Sequence, residues 1–314
     1  MWGWDRGGGR GGSGIEYTLS NTINPSLGAA SPTSFKPGDL INQETQFQAD
    51  FTYEVDASGL SSPLLFAFGA SYMDESYEVV EGESNSYVAG PHSLPDPFGF
   101  CADGGTTPTA AGAAVIAGGS SLDCANSDDP VFQVVGVGSN GFPGFSPQFS
   151  ELYERTSNAF YGDVSADVTD QLFLQAAVRY EDYDDFDSEV VYKLAGKFDI
   201  NDNIGFRASI GTGFRAPTPG QQGTINVSTR LPNGLPVATG LFPAGGPVAQ
   251  ALGAKPLAPE TSDNLSFGMT ANFGDLDLTV DFYSIDVADR TNAISTRDVS
   301  TDPTSGDAYQ NYLL

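Results

Sequence analysis

Apolar and polar residues alternate along eight stretches of this chain. In residues 160–168, for example, Phe160 and Val164 fall on one parity, whereas Asp163 and Ser165 fall on the other. Because successive side chains of a β-strand point to opposite faces of a sheet, this alternation predicts a strand with one apolar face. The pattern predicts strands at 47–55, 64–72, 160–168, 172–180, 190–198, 204–213, 265–273 and 276–282. We therefore expect an all-β protein.

The connections between these predicted strands differ in length in a regular way. The links at 56–63, 169–170, 199–203 and 274–275 are short, whereas those at about 74–154 and 214–261 are very long and rich in Gly and Pro. In an antiparallel up-and-down meander, this places the tight turns at one end and the large loops at the other. Soluble sandwiches have shorter strands and distribute their loops over both ends. The pattern predicts a partial transmembrane β-barrel with short periplasmic turns and long extracellular loops.

The two faces of the predicted strands differ in charge. Lipid offers no hydrogen-bond partners, so we expect the apolar set to face outward and the polar set to face the lumen. A lysine or arginine at the middle of the hydrocarbon layer would cost about 2–4 kcal/mol. The charges predicted to face the lumen are Arg179, Glu181, Lys193, Lys197, Arg207, Asp277 and Asp281.

The chain is strongly acidic, with a formal net charge of -27 and a sequence pI of about 4.1. Nucleic acid is excluded as a partner, because its phosphates would be repelled. No apolar run approaches the roughly 18 residues of a transmembrane helix, but a spanning strand needs only about 10 alternating residues. The acidic run at 182–187 suits either a Ca²⁺ ion or simple solvation, and it lacks the regular spacing of an EF-hand.

Two further segments carry predictions. Residues 1–14 are rich in Gly with Arg and Ser and have no apolar core, so we expect a disordered leader rather than a signal peptide. Cys101 and Cys124 are the only cysteines. They form either a local disulfide, which would indicate an oxidising compartment, or two unpaired thiols. With only His92 nearby, they cannot complete a tetrahedral metal site, and no metal or cofactor is predicted.

Four motifs resemble a known family. They are Gly-Phe-Arg-Ala-Pro-Thr at 213–218, Val-Arg-Tyr-Glu-Asp-Tyr-Asp-Asp-Phe at 178–186, Leu-Ala-Pro-Glu-Thr-Ser-Asp-Asn at 257–264 and Phe-Tyr-Ser-Ile-Asp-Val-Ala-Asp-Arg at 282–290. In this combination the chain resembles the C-terminal part of the barrel of TonB-dependent outer-membrane receptors.

The resemblance implies a bacterial outer-membrane location and a complete barrel of about 22 strands with a plugged lumen. It also implies a partner, the TonB complex, and energy-coupled uptake of a scarce nutrient such as a ferric siderophore, haem, cobalamin or an oligosaccharide. Because only eight strands are predicted here and no plug is recognisable, we expect 15–314 to be a partial barrel from a receptor fragment without the plug domain.

Candidate ligand-binding residues lie in the two long loops. They are Phe142, Phe145, Arg215, Gln221 and Gln222. Arg215 has two interpretations: it binds an anionic ligand, or it holds the barrel rim through carbonyls or acidic neighbours. No nucleophile motif accompanies the single histidine, so we do not expect an enzyme. The alternative to a receptor is a soluble secreted carbohydrate-binding protein that uses the same loops.

Overall fold

The computed structural model describes residues 2–102, 106–230, 237–300 and 306–307. Its strands are β1 (Trp2–Glu16), β2 (Leu19–Ser20), β3 (Ser34–Phe35), β4 (Asp39–Val55), β5 (Leu64–Val80), β6 (Leu152–Thr169), β7 (Leu172–Tyr183), β8 (Glu189–Asn201), β9 (Ile204–Arg215), β10 (Asn226–Arg230), β11 (Val237–Leu241), β12 (Glu260–Phe273) and β13 (Leu276–Ala288). The helices are α1 (Ala110–Ala117), α2 (Pro219–Gly223) and α3 (Pro247–Ala251). Short 3₁₀ turns occur at Pro25–Ala30, Ser84–Ser86, Pro91–Ser93, Pro130–Phe132 and Pro147–Phe149. None of the described helices is long and apolar enough to span a membrane.

One nine-stranded antiparallel sheet dominates the molecule, in the order β1-β4-β5-β6-β7-β8-β9-β12-β13. Strands β1 and β13 form its two edges. All eight predicted strands are present within β4–β9, β12 and β13, which confirms the predicted meander. Two small hairpins, β2–β3 and β10–β11, lie in the long connections.

The prediction of a disordered leader at 1–14 is wrong for the residues that the structure describes. Strand β1 pairs with β4 from Trp2 opposite Tyr53 to Glu16 opposite Asp39. Pairing uses backbone N–H and C=O groups, which glycine supplies as well as any other residue. This strand could not be predicted, because glycine-rich strands show no alternation of apolar and polar side chains.

Strands β4 and β5 continue well beyond the apolar pattern that predicted them. Each contains 17 residues, which at the usual rise corresponds to about 57 Å, whereas about 10 residues suffice to cross a bilayer. In their outer halves, Gln43–Thr45 lie opposite Asp74–Ser76, and this part of the hairpin is polar on both faces. This hairpin therefore projects past the apolar band at the loop end.

The register assigns side chains to two chemically distinct faces. On the apolar face Phe51 stacks on Phe68 and Phe206 stacks on Phe267, with ring centroids 5.5 and 5.8 Å apart. This face is exposed; its large side chains include Phe47, Phe66, Phe160, Val178, Leu194, Phe198, Ile210, Val280 and Phe282. The seven charges predicted to face the lumen all share the opposite, polar face.

The connections are separated by end as predicted. Links 17–38, 81–151, 184–188 and 216–259 lie at one end, called the loop end, and the short links 56–63, 170–171, 202–203 and 274–275 lie at the other. The largest fully buried side chains among the described residues all lie at the loop end: Phe35, Asn24, Pro37, Ser26, Ser86 and Ser139 in the links, and Val79 near the end of β5. The large side chains of the core are therefore concentrated at the loop end, whereas the buried hydrophobic residues along the rest of the strands are alanines.

Candidate functional site at the loop end

Links 17–38 and 81–151 fold together into one unit, called the loop cap. At its centre Asn24 is fully buried. Its side-chain amide donates to the carbonyls of Asn85 and Val88, at 3.0 and 2.9 Å, and its side-chain oxygen accepts from the backbone N–H and hydroxyl of Ser26. Buried polar groups are stable only when their partners are present, so this network fixes the two loops relative to each other.

An aromatic cluster fills the base of the loop cap. Tyr17 stacks on Phe142 at 4.8 Å, and Phe145 packs edge-on against both rings. Phe145 is only 6% exposed, and its backbone N–H donates to the Pro37 carbonyl. Phe145 therefore packs as a core residue of the cap, which corrects its prediction as a ligand-facing residue. Phe142 is partly exposed beside it.

A disulfide between Cys101 and Cys124 closes the outer part of the cap, around helix α1. Asp96 accepts hydrogen bonds from the backbone N–H groups of Phe100 and Cys101, which holds the base of this segment. Outside it, Phe98 stacks on Phe100 at 5.2 Å and is 60% exposed. The outer surface of the cap therefore presents aromatic rings to solvent.

Residues 216–224, called the strap, follow β9 and lie on the polar face of β5 and β6. Gly220 lies against the Tyr77 ring and Gly223 against the Tyr153 ring. Tyr77 and Tyr153 lie opposite each other on β5 and β6, and their side chains share a face of the sheet with Glu75 and Arg155. The strap therefore lies on the polar face. The strap thus crosses from β9 over the loop ends of β8 and β7.

Two of the predicted ligand residues stabilise the strap. Thr218 and Gln221 form a capping box at the start of α2: the Thr218 hydroxyl accepts from the Gln221 N–H, and the Gln221 side chain accepts from the Thr218 N–H. Gln222 donates to a carboxylate oxygen of Asp185 at 2.7 Å. Each amide therefore has a partner within the protein.

Arg215 ends β9, opposite Glu260 on β12. One of its terminal nitrogens lies 3.9 Å from a Glu260 carboxylate oxygen, and most of its side chain is exposed. This geometry agrees with the rim interpretation and leaves donors free for solvent.

The acidic run at 182–187 is engaged by protein groups. Asp184 accepts hydrogen bonds from the N–H and hydroxyl of Thr156, and Asp185 accepts from Gln222. Partial desolvation beneath the strap raises the pKa of Asp185 above the usual value of an aspartate. Within the described ranges, no group of three or more His, Cys, Asp or Glu side chains is arranged to hold a metal ion.

The sequence matches the family model described as TonB dependent receptor-like, beta-barrel over residues 2–312. The chain belongs to this family. Its members are outer-membrane proteins, so the resemblance and the outer-membrane location are confirmed. The family is one of receptors and not of enzymes.

Solved receptors resemble this TonB-dependent receptor chain over part of their length. The siderophore receptors PirA from Acinetobacter baumannii and PirA from Pseudomonas aeruginosa are 14% and 13% identical, each match covers 96% of this chain, and both TM-scores are 0.49. A ferric enterobactin receptor mutant from Pseudomonas aeruginosa is 10% identical over 79% of the chain, with a TM-score of 0.47. The matches cover 35%, 43% and 27% of those chains, so this chain spans less than half of their length. No curated protein sequence matches it significantly.

Sequence reasoning missed the most deeply buried cation described in this receptor barrel. Arg155 is 4% exposed; it pairs with Glu75 and donates to the carbonyl of Pro217 in the strap. The predicted loop ends at about 154 and the predicted strand begins at 160, so Arg155 is assigned to neither. The only available signal was a basic residue in a highly acidic segment, since no other Lys or Arg occurs between Lys36 and Arg179.

Proposed function

We propose that this chain is part of an outer-membrane receptor that captures a small nutrient at the loop end and takes it up with energy from the TonB complex. The observation that carries the proposal is the collection of all long connections at one end of a meander with an exposed apolar face. A lipid-facing band, a polar inner face and a loop-built outer end are what a receptor barrel requires. Among the described residues, the loop cap holds six of the seven largest fully buried side chains, which suits a binding platform that keeps its shape.

A ferric siderophore is the nutrient we propose. The outer cap surface offers the exposed ring of Phe98, and the rim offers Arg215, whose guanidinium is largely exposed. Aromatic rings and a guanidinium together suit a flat or anionic chelate. Haem, cobalamin and oligosaccharides remain the competing ligands of the test. Family membership and the exposed apolar face do not favour the soluble carbohydrate-binding alternative.

The polar face is proposed to line the lumen. Its ion pairs include Arg179 with Glu181 and Arg207 with Asp281, at 2.7 and 2.6 Å. In both pairs the positive charge is matched by a carboxylate on the same face, so neither arginine presents an isolated charge to a solute passing along it.

Uptake measurements in the bacterium that carries the gene test the proposal. Under iron limitation, deletion should abolish the part of ⁵⁵Fe-siderophore uptake that a protonophore also abolishes, and the complete gene should restore it. Uptake of labelled cobalamin, haem and oligosaccharide in the same strains is the control. Unchanged iron uptake together with loss of one of the others would reject the siderophore. Unchanged uptake of every ligand would reject the receptor function.

A further inference from the structure

The strap is attached to the sheet by few contacts, and Arg155 makes the central one. The Arg155 guanidinium pairs with Glu75, lies 5.0 Å from the centroid of the Tyr183 ring and donates to the Pro217 carbonyl. Among the described residues, the other polar attachments of the strap are Gln222 to Asp185 at 2.7 Å and Thr224 to Tyr77 at 3.1 Å. The only buried residues of the strap are Pro217, Pro219 and Gly223, all small. A segment with so little buried apolar surface lies at the low end of local stability.

The charge arrangement permits the strap to detach at moderate cost. Arg155 keeps its carboxylate partner Glu75 whether or not the strap is docked, because both residues belong to the paired strands β5 and β6. Detachment therefore exposes a guanidinium that is already neutralised and a carbonyl that water can hydrate. A buried cation without a second partner would instead make detachment very unfavourable.

We propose that the strap is a lid over the polar face at the loop end, and that Arg155 is the positioning residue that holds it closed. When docked, the strap spans the polar face from β9 to β5 and covers the approach from the loops to that face. When detached, it leaves the approach open. The proposal concerns this segment alone and does not depend on which ligand the receptor takes.

Tryptic cleavage after Arg215 measures strap detachment directly. The side chain of Arg215 is exposed, but cleavage requires the following residues to leave the sheet surface, so the rate reports the open population. The chain is held in detergent micelles, and the cut sites are identified by mass spectrometry. Because Arg155→Gln removes one charge-assisted hydrogen bond to the strap, we expect cleavage after Arg215 to become about tenfold faster. Arg155→Lys keeps the charge but not the planar fork, and should give an intermediate rate.

The matched control is Arg207→Gln. It breaks an arginine–carboxylate pair on the same face that does not touch the strap, so cleavage after Arg215 should keep the wild-type rate. A second variant, Tyr77→Phe, removes only the hydroxyl that meets Thr224 and leaves the Arg155–Glu75 pair intact; a rise of about threefold is expected for one neutral hydrogen bond.

Two results would overturn the proposal. In the first, cleavage after Arg215 is unchanged in both Arg155→Gln and Tyr77→Phe. In the second, cleavage after Lys197 in the middle of the sheet accelerates in parallel with that after Arg215, because Arg155 would then support the whole sheet and not the strap. If Arg155→Gln does not fold, the Tyr77→Phe result decides by the same two criteria.

Discussion

Single residues in the loop cap show that burial, and not residue type, decides their role. Phe145 and Phe98 belong to the same link and carry the same side chain. Phe145 is enclosed by Tyr17 and Phe142 at 6% exposure, whereas Phe98 is 60% exposed on the outer surface. The sequence around them gives no basis for the difference, since both lie in Pro/Gly-rich segments.

Phe145→Ala should therefore loosen the cap, and Phe98→Ala should not. Truncating a buried phenylalanine costs about 3–5 kcal/mol through lost burial and the cavity left behind. The measurement is hydrogen exchange at the Gly82 amide, which donates to the Phe145 carbonyl at 2.9 Å. Phe145→Ala should lower its protection strongly, and Phe98→Ala should leave it unchanged. Equal protection in the two variants would contradict the core role of Phe145.

At the scale of elements, glycine allows polar contacts across three strands. Tyr161 on β6 donates to Asp50 on β4 at 2.7 Å, passing over Gly69 of the strand between them. Arg207 on β9 reaches Asp281 on β13 over Gly268 in the same way. A methyl group at Gly69 would lie 2.5 Å from the Tyr161 ring and 2.6 Å from the Ala49 carbonyl oxygen. Because glycine has no side chain, the two strands on either side of it can form a hydrogen bond across it.

Gly69→Ala should break the contact between Tyr161 and Asp50. Loss of the hydrogen bond and the steric conflict together should lower the free energy of unfolding by about 1–3 kcal/mol. The control is Gly162→Ala on the neighbouring strand, where a methyl group would meet no atom within 4 Å. Denaturant titration in micelles compares the two. If Gly162→Ala lowers the free energy of unfolding as much as Gly69→Ala does, loss of the contact between Tyr161 and Asp50 is not the cause.

Adjacent positions of β8 test the assignment of faces. Lys193 belongs to the polar face and Leu194 to the apolar face. With the chain in a lipid bilayer, Lys193→Cys should react with a charged, water-soluble thiol reagent, and Leu194→Cys should not, because lipid excludes the reagent. Both native cysteines are in the disulfide and give no background. Faster reaction of Leu194→Cys would reverse the assignment.

For the whole molecule, the distribution of burial is inverted relative to a soluble protein. The sheet exposes an entire face of large apolar side chains, whereas the most deeply buried large ones, Phe35 and Val79, lie at the loop end. An exposed apolar surface of this extent requires lipid or another cover. The receptor family supplies the reason, since the face meets the membrane.

The chain should therefore depend on an amphiphile for its solubility. In detergent micelles or lipid nanodiscs it should be monodisperse and rich in strand, and it should aggregate when the detergent is removed. Size-exclusion chromatography with light scattering, run with and without detergent, makes the measurement. A monodisperse monomer in plain buffer would contradict the membrane assignment and revive the soluble alternative.

The meander, the two faces of the sheet and the separation of long loops from short turns could all be predicted from the order of residues. This is possible because strand periodicity is local: each pattern lies within a few consecutive residues, as in 172–180 and 190–198. The sequence also pointed to the receptor family, through motifs that are contiguous in the chain.

Other features depend on contacts between residues that are distant in the chain. The pairing of β1 depends on backbone groups that leave no pattern in the sequence, and the burial of Phe145 depends on a loop more than a hundred residues before it, at Tyr17. The contact of Arg155 with Pro217 joins residues 62 positions apart. Such contacts arise when loops meet at one end of the sheet, and their energetic consequences follow from the neighbours that each residue acquires there.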